Sequence, residues 1–162
     1  MMKKFFLVAV VALLATPLFA GDMKMDAKLG YARGTGSANG FNVNPGLFYS
    51  LYASEDFIKD LSVGLDLDFA MLKAVGVWSY NVGIAPMAKL LMPYSYFKLG
   101  FGYTYARAAG NAVNLFGIKF NVAGLYPIAD GIDLGLDFGM MYAFNQGKPW
   151  ILSVGPVLSF DL

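Results

Sequence analysis

Asp66 and Asp68 flank Leu67 in the stretch GLDLDFAML, residues 64–72. On an extended chain the two carboxylates share one face about 7 Å apart, a spacing suited to general acid–base work or to holding a cation. The remaining apparatus of a hydrolytic or metal site is missing. The sequence has no His and no Cys, so no Ser-His-Asp triad, thiol nucleophile or ordinary zinc site can be assembled. Lysines and asparagines occur on the same parity as these aspartates, and charges removed from water are normally paired, so structural ion pairing is the better reading. The glycine-rich GTGSANG (34–40) superficially resembles a phosphate loop. No Lys-Ser/Thr follows it and no helical pattern begins there, so it reads as a hairpin tip. No catalytic residue, cofactor or metal is expected.

The elements that must position these charges follow from the other half of the same string. Leu65, Leu67, Phe69 and Met71 alternate with the aspartates, so one face of the strand is polar and the other apolar. Which face meets water decides the class of protein. At 57% hydrophobic, 14% charged and 16% aromatic with 19 glycines, the 162-residue chain is too apolar for an ordinary soluble domain. It is also too often interrupted by glycine for a helical membrane protein. Residues 1–20, MMKKFFLVAVVALLATPLFA, have a Lys3-Lys4 head, an apolar run from Phe5 to Leu14, a Pro17 break and a small-residue end at Ala20. They read as a secretory signal peptide cleaved near Ala20, leaving 21–162 as one domain. Removing Lys3 and Lys4 leaves ten basic and eleven acidic side chains, a balance that excludes a basic nucleic-acid surface. An exported chain without Cys has no disulfides to stabilise it, and after residue 20 no apolar run is long enough for a spanning helix.

Read with a period of two, the chain divides into eight segments: 23–33, 41–52, 61–72, 76–89, 96–107, 115–126, 131–143 and 150–162. Turn-like clusters separate them at 34–40, 54–60, 73–75, 90–95, 108–114, 127–130 and 145–149. One parity collects about forty large apolar residues, among them Leu29, Tyr31, Phe41, Leu65, Phe69, Trp78, Phe101, Tyr105, Leu136 and Trp150. The other carries Asp26, Lys28, Asn42, Asn44, Asp66, Asp68, Asn81, Lys98, Lys119, Asn121, Asp133 and Asp137, interspersed with glycines. The interior of an eight-stranded barrel barely holds its own side chains, so the large apolar set must point out and the small polar set in. The mature chain has a single Glu, Glu55, which does not suit a water-facing exterior. About ten residues per strand, tilted by roughly 40°, span the 25 Å or so of an outer-membrane apolar band. Outward aromatics cluster toward the strand ends, as bilayer interfaces select. The expected fold is all-β: an eight-stranded antiparallel up-and-down transmembrane barrel, closed because an open edge in lipid would strand backbone polar groups.

So read, the chain resembles the small eight-stranded outer-membrane barrels of Gram-negative bacteria, of the OmpX, OmpA-barrel and opacity-protein type. The most specific piece is the end, GPVLSF (155–160) followed by Asp161-Leu162. It is similar to the terminal signal that such proteins show to the barrel assembly machinery, here carried by Gly155, Leu158, Phe160 and Leu162, with Leu162 where an aromatic is usual. LYPIADGIDLGLDFG (125–139) also looks like a recurrent turn and strand of the family. The resemblance implies an outer-membrane location, handling by periplasmic chaperones and the assembly machinery, and a monomer. It implies contact with lipid or lipopolysaccharide as the leading function. A conduit for small hydrophobic molecules, as in OmpW-like barrels, or a loop-mediated adhesin are the alternatives. The lipid A palmitoyltransferase and deacylase barrels share the strand count, but their chemistry depends on a histidine that this chain lacks. The exposed connections, expected at 34–40, 73–75, 108–114 and 145–149, are short for adhesion.

Two further expectations concern detail. Counting across the hairpins places Lys28 level with Gly46 and Asp68, aligns Lys98 with Asp133 through Gly124, and sets Lys119 beside Asp137, so these three pairs are expected to plug the lumen. Pro45, Pro86 and Pro156 each remove a ladder hydrogen bond and are expected to introduce bulges or shorten strands.

Overall fold

The computed structural model describes residues 23–54, 57–145 and 147–162; the signal-peptide segment 1–20 lies outside them. Eight strands follow one another: β1 Met23–Gly34, β2 Asn39–Ala53, β3 Asp60–Ala74, β4 Val77–Met92, β5 Ser95–Ala108, β6 Asn111–Ala129, β7 Ile132–Ala143 and β8 Trp150–Asp161. Each pairs antiparallel with its sequence neighbours, and β8 pairs with β1, so the sheet closes on itself. Closure leaves no edge strand, which is the requirement for a sheet in hydrocarbon.

The alternation of side chains is the one read from the sequence. Leu29, Phe41, Phe69, Tyr80, Phe101, Leu136 and Val154 stand exposed on the outside, while Asp26, Lys28, Asn42, Asp66, Lys98, Lys119 and Asp137 are buried inside. The ladder is staggered. From Lys24 the partners run Phe48, Gly64, Met87, Gly100, Lys119, Met141 and Ile151, and the path returns to β1 at Gly34, ten residues beyond its start. Strands so staggered must tilt against the barrel axis, so hydrogen-bonded partners lie at different heights in the lumen.

Several turns are tighter than the sequence suggests. The breaks expected at 73–75 and 108–114 shrink to Val75-Gly76 and Ala109-Gly110, because both residues of each pair take positive φ (47° and 81°; 47° and 84°). Two successive positive φ angles make a turn whose twist matches the flanking strands, so pairing continues to its foot. The prolines also behave differently from expectation. None of the three lies at a register shift; the shifts fall at Ser50/Tyr52 and Pro127/Ala129. Pro45, Pro86 and Pro156 instead each interrupt a single ladder, toward β3, β5 and β1 respectively, while their other ladder runs on with Ala27, Leu65 and Leu136. A missing N–H is lost on one side only, so the strand keeps its length.

Candidate functional site: a charged lumen

Four lysines and four aspartates converge inside the barrel. They come from β1 (Asp26, Lys28), β3 (Asp66, Asp68), β4 (Lys89), β5 (Lys98), β6 (Lys119) and β7 (Asp137). All but Asp68 are buried. Inward glycines give them room. An added Cβ at Gly46 would lie 2.1 Å from Asp66 Oδ1, and one at Gly83 would lie 2.7 Å from Thr104 Oγ1.

The charges alternate in sign along a continuous path. Lys89 Nζ donates to both oxygens of Asp26, at 2.7 and 2.9 Å, and Ser159 Oγ adds a bond of 2.6 Å. Lys98 Nζ lies 2.7 Å from Asp26 Oδ2 and 3.3 Å from Asp66 Oδ1. Lys119 Nζ lies 3.3 Å from Asp66 Oδ2 and bonds both oxygens of Asp68, at 2.7 and 2.8 Å. Asn44 also donates to Asp68. Beside this path, Asp137 accepts from Lys28, from Tyr96 Oη at 2.5 Å and from Asn121 Nδ2 at 2.9 Å. Tyr96, bonded to Asp137, joins the two groups, and Phe48 lies against the first: Lys89 Nζ is 5.3 Å from the Phe48 centroid and 4.9 Å from that of Tyr96, and Lys98 Nζ 4.5 and 4.8 Å. These are cation–π distances.

Apolar side chains fill the rest. Tyr96, Ala123, Leu125 and Val157 form one inward cluster, extended by Leu91, and Phe48, Ala85 and Met87 form another. A recess of about 40 Å³ remains beside Asn42, Asp68, Thr104, Lys119, Met141 and Ser153. That is room for a few waters and not for a solute.

The expected pairing within this network is corrected in each case. Lys28 bonds Asp137 and Ser153 Oγ (2.8 Å), not Asp68. Lys98 joins Asp26 and Asp66, not Asp133, and Lys119 joins Asp66 and Asp68, not Asp137. Asp133 forms no ion pair among the described residues and sits half-buried near the start of β7. The reason is register. The first hairpin closes tightly enough that Lys28 faces Asn44, and Asp26 faces Gly46. The second hairpin closes at Ala53 and Asp60 and loses one more residue at the Ser50/Tyr52 shift, and together these put Asp66, not Asp68, opposite Gly46. On the other side, Lys98 meets Asn121 and Lys119 meets Met141, so neither expected partner is adjacent. Among the charges left out of the expected pairs, Asp26, Asp66 and Lys89 prove central, as do the aromatic Tyr96 and Phe48. Their inward parity was the available signal.

At the other end of the chain, Gly155 lies where β8 and β1 approach so closely that a Cβ would sit 2.2 Å from Leu29 O. Leu158 and Phe160 are half-exposed on the outer face, and the Leu162 N–H donates to Met23 O at 2.8 Å.

No protein-family model and no curated protein sequence matches the chain. Solved structures do. A major outer membrane protein from Thermus thermophilus superposes with a TM-score of 0.61 at 14% identity, covering 89% of this chain and all of that one. Neisserial surface protein A gives 0.53 at 14% identity over 87% of this chain and 96% of its own. The outer membrane enzyme PagL gives 0.51 at 14% identity over 86% and 99%. The fold is that of the small eight-stranded outer-membrane barrels.

Proposed function

We propose that this chain is a non-enzymatic, structural protein of the bacterial outer membrane that has a closed lumen and acts through contact with the surrounding lipid. The barrel's apolar outer band places it in a bilayer, and a closed sheet is how a β-protein resides there. The observation that carries the reading of the lumen is the network of four lysines and four aspartates, balanced in sign and packed against Phe48 and Tyr96. A pathway for solutes would need that network dismantled. A polar lumen also offers nothing to a small hydrophobic cargo, which disfavours the conduit reading. Against an enzyme stands the absence of His and Cys anywhere in the sequence, which removes the commonest general base and the thiol nucleophile. Gly155, Leu158, Phe160 and Leu162 act during biogenesis, as the terminal segment handed to the assembly machinery.

Liposome swelling tests this. Proteoliposomes loaded with an impermeant polymer and diluted into an isotonic small sugar should swell no faster than protein-free liposomes. Swelling that scales with the amount of folded barrel would overturn the closed-lumen reading.

A further inference from the structure

The charges outside the lumen are sorted by end. At the end opposite the termini, Arg33, Lys73 and Arg107 are the penultimate residues of β1, β3 and β5, and the connection between β7 and β8 carries Lys148. All four are exposed, and none forms an ion pair among the described residues. No Asp or Glu occurs in residues 29–44, 69–80, 103–116 or 140–153, which make up that whole end. The terminal end is the reverse: among the described residues it holds Asp60, Asp130, Asp133 and Asp161 against Lys24 and Lys59.

The basic residues are also placed at a particular height. Arg33, Lys73 and Arg107 lie on the outward parity, each two residues beyond an exposed apolar or aromatic side chain: Tyr31, Met71 and Tyr105. Lys73 lies over the Trp78 ring, 5.5 Å from its centroid. Arg33 and Lys73 both partner Asn39, from opposite sides, so they stand two strand spacings apart, about 10 Å. Cations just above an aromatic girdle on the lipid face emerge among headgroups. A soluble polyanion would meet the hairpin tips instead, and the first three tips offer Ser37, Val75 and Ala109 rather than charge.

We infer that Arg33, Lys73, Arg107 and Lys148 form a collar that binds the phosphate groups of anionic lipid in the leaflet facing the hairpin end. With the termini at the periplasmic side, that leaflet is the outer one. The inference rests on the lipid-embedded reading above and names the lipid chemistry it selects. Guanidinium and ammonium groups without a carboxylate partner are the groups that phosphate recruits.

The chain supplies its own reporter, because both of its tryptophans, Trp78 and Trp150, lie at this end. The full barrel is refolded into phosphatidylcholine vesicles containing either dansyl-labelled phosphatidic acid or dansyl-labelled phosphatidylcholine, and tryptophan-to-dansyl energy transfer is measured. Wild-type protein should favour the phosphatidic acid about five-fold or more, the scale of one basic contact. The preference should fall toward unity in R33Q/K73Q/R107Q/K148Q. A heat-modifiable gel shift reports folding of that variant; should it fail to fold, the pairs R33Q/K73Q and R107Q/K148Q carry the same comparison. Equal transfer to both lipids in the wild type, or an undiminished preference in the variants, overturns the collar while leaving the barrel in lipid. Loss of the preference on adding soluble inositol hexakisphosphate at matched phosphate concentration overturns lipid as the source of the anion. Absence of transfer to either lipid overturns the lipid-embedded reading itself.

Discussion

Lys28 on β1 crosses β8 to reach Asp137 on β7, and does so where β8 presents Gly155, the register partner of Asp137. The lysine also bonds Ser153 Oγ at 2.8 Å, on the same strand. Gly155 also lets β8 and β1 close on each other, since a Cβ there would fall 2.4 Å from Gly30 Cα. The closing strands therefore approach most tightly beside the strand position that pairs with the buried carboxylate.

Removing one partner of such a pair leaves the other charged and dry, at a cost of about 3–5 kcal/mol, whereas replacing both by apolar groups can be neutral. Asp137→Ala, which also deprives Tyr96 and Asn121 of their acceptor, should lower unfolding stability in detergent by about that amount. The double change Lys28→Met with Asp137→Leu should recover much of it. Urea titrations of the wild type, both single variants and the double variant supply the cycle, and additive losses would show that the pair is not coupled.

The strand glycines are not equivalent: Gly64 lies on the inner face of β3 and Gly124 is exposed on the outer face of β6. An added Cβ at Gly64 would sit 2.0 Å from the Leu47 carbonyl oxygen, whereas one at Gly124 meets nothing within 4 Å. Backbone cannot yield as a flexible side chain can, so Gly64→Ala should cost about 1–3 kcal/mol. Gly124→Ala, at a position with ordinary φ, should be neutral or stabilise by up to about 1 kcal/mol. Midpoints of the boiled-to-folded gel shift against temperature would rank the two.

The outward face predicts its own response to charge. Leu136 is 60% exposed on β7, and Leu136→Arg should destabilise the barrel in lipid by about 2–4 kcal/mol if it lies near the midplane, less toward an interface. Leu136→Cys should resist a water-soluble maleimide and be quenched by a spin label in the acyl chains. Free labelling from water would contradict the orientation.

The architecture was legible because it rests on two robust signals, period-two alternation and a volume limit: about forty large side chains do not fit inside eight strands. The inward charges, Lys89 excepted, followed from the same alternation. Their partners did not. Pairing depends on hairpin register, and register turned on details that composition conceals, such as Val75 taking a positive φ or a shift in β2 at Ser50/Tyr52 and not at Pro45. A two-residue error in the first hairpin placed Lys28 opposite Gly46 in place of Asn44, and an equal error in the second placed Asp68 opposite Gly46 in place of Asp66. Stagger adds a second obstacle, since Lys28 and Asp137 meet across an intervening strand and are 109 residues apart in sequence. Lys89 was recoverable from parity alone, lying inward five residues after Ile84 on the outward face.

The account turns on a lumen closed by charge pairs, and single-channel conductance in planar bilayers tests this most directly. The folded wild-type barrel should give no steady current at either polarity, at low or high salt, because Lys89, Asp26, Lys98, Asp66, Lys119 and Asp68 occupy the cross-section in one alternating path. A stable, ohmic conductance that appears only with folded protein and persists through voltage reversal would contradict it.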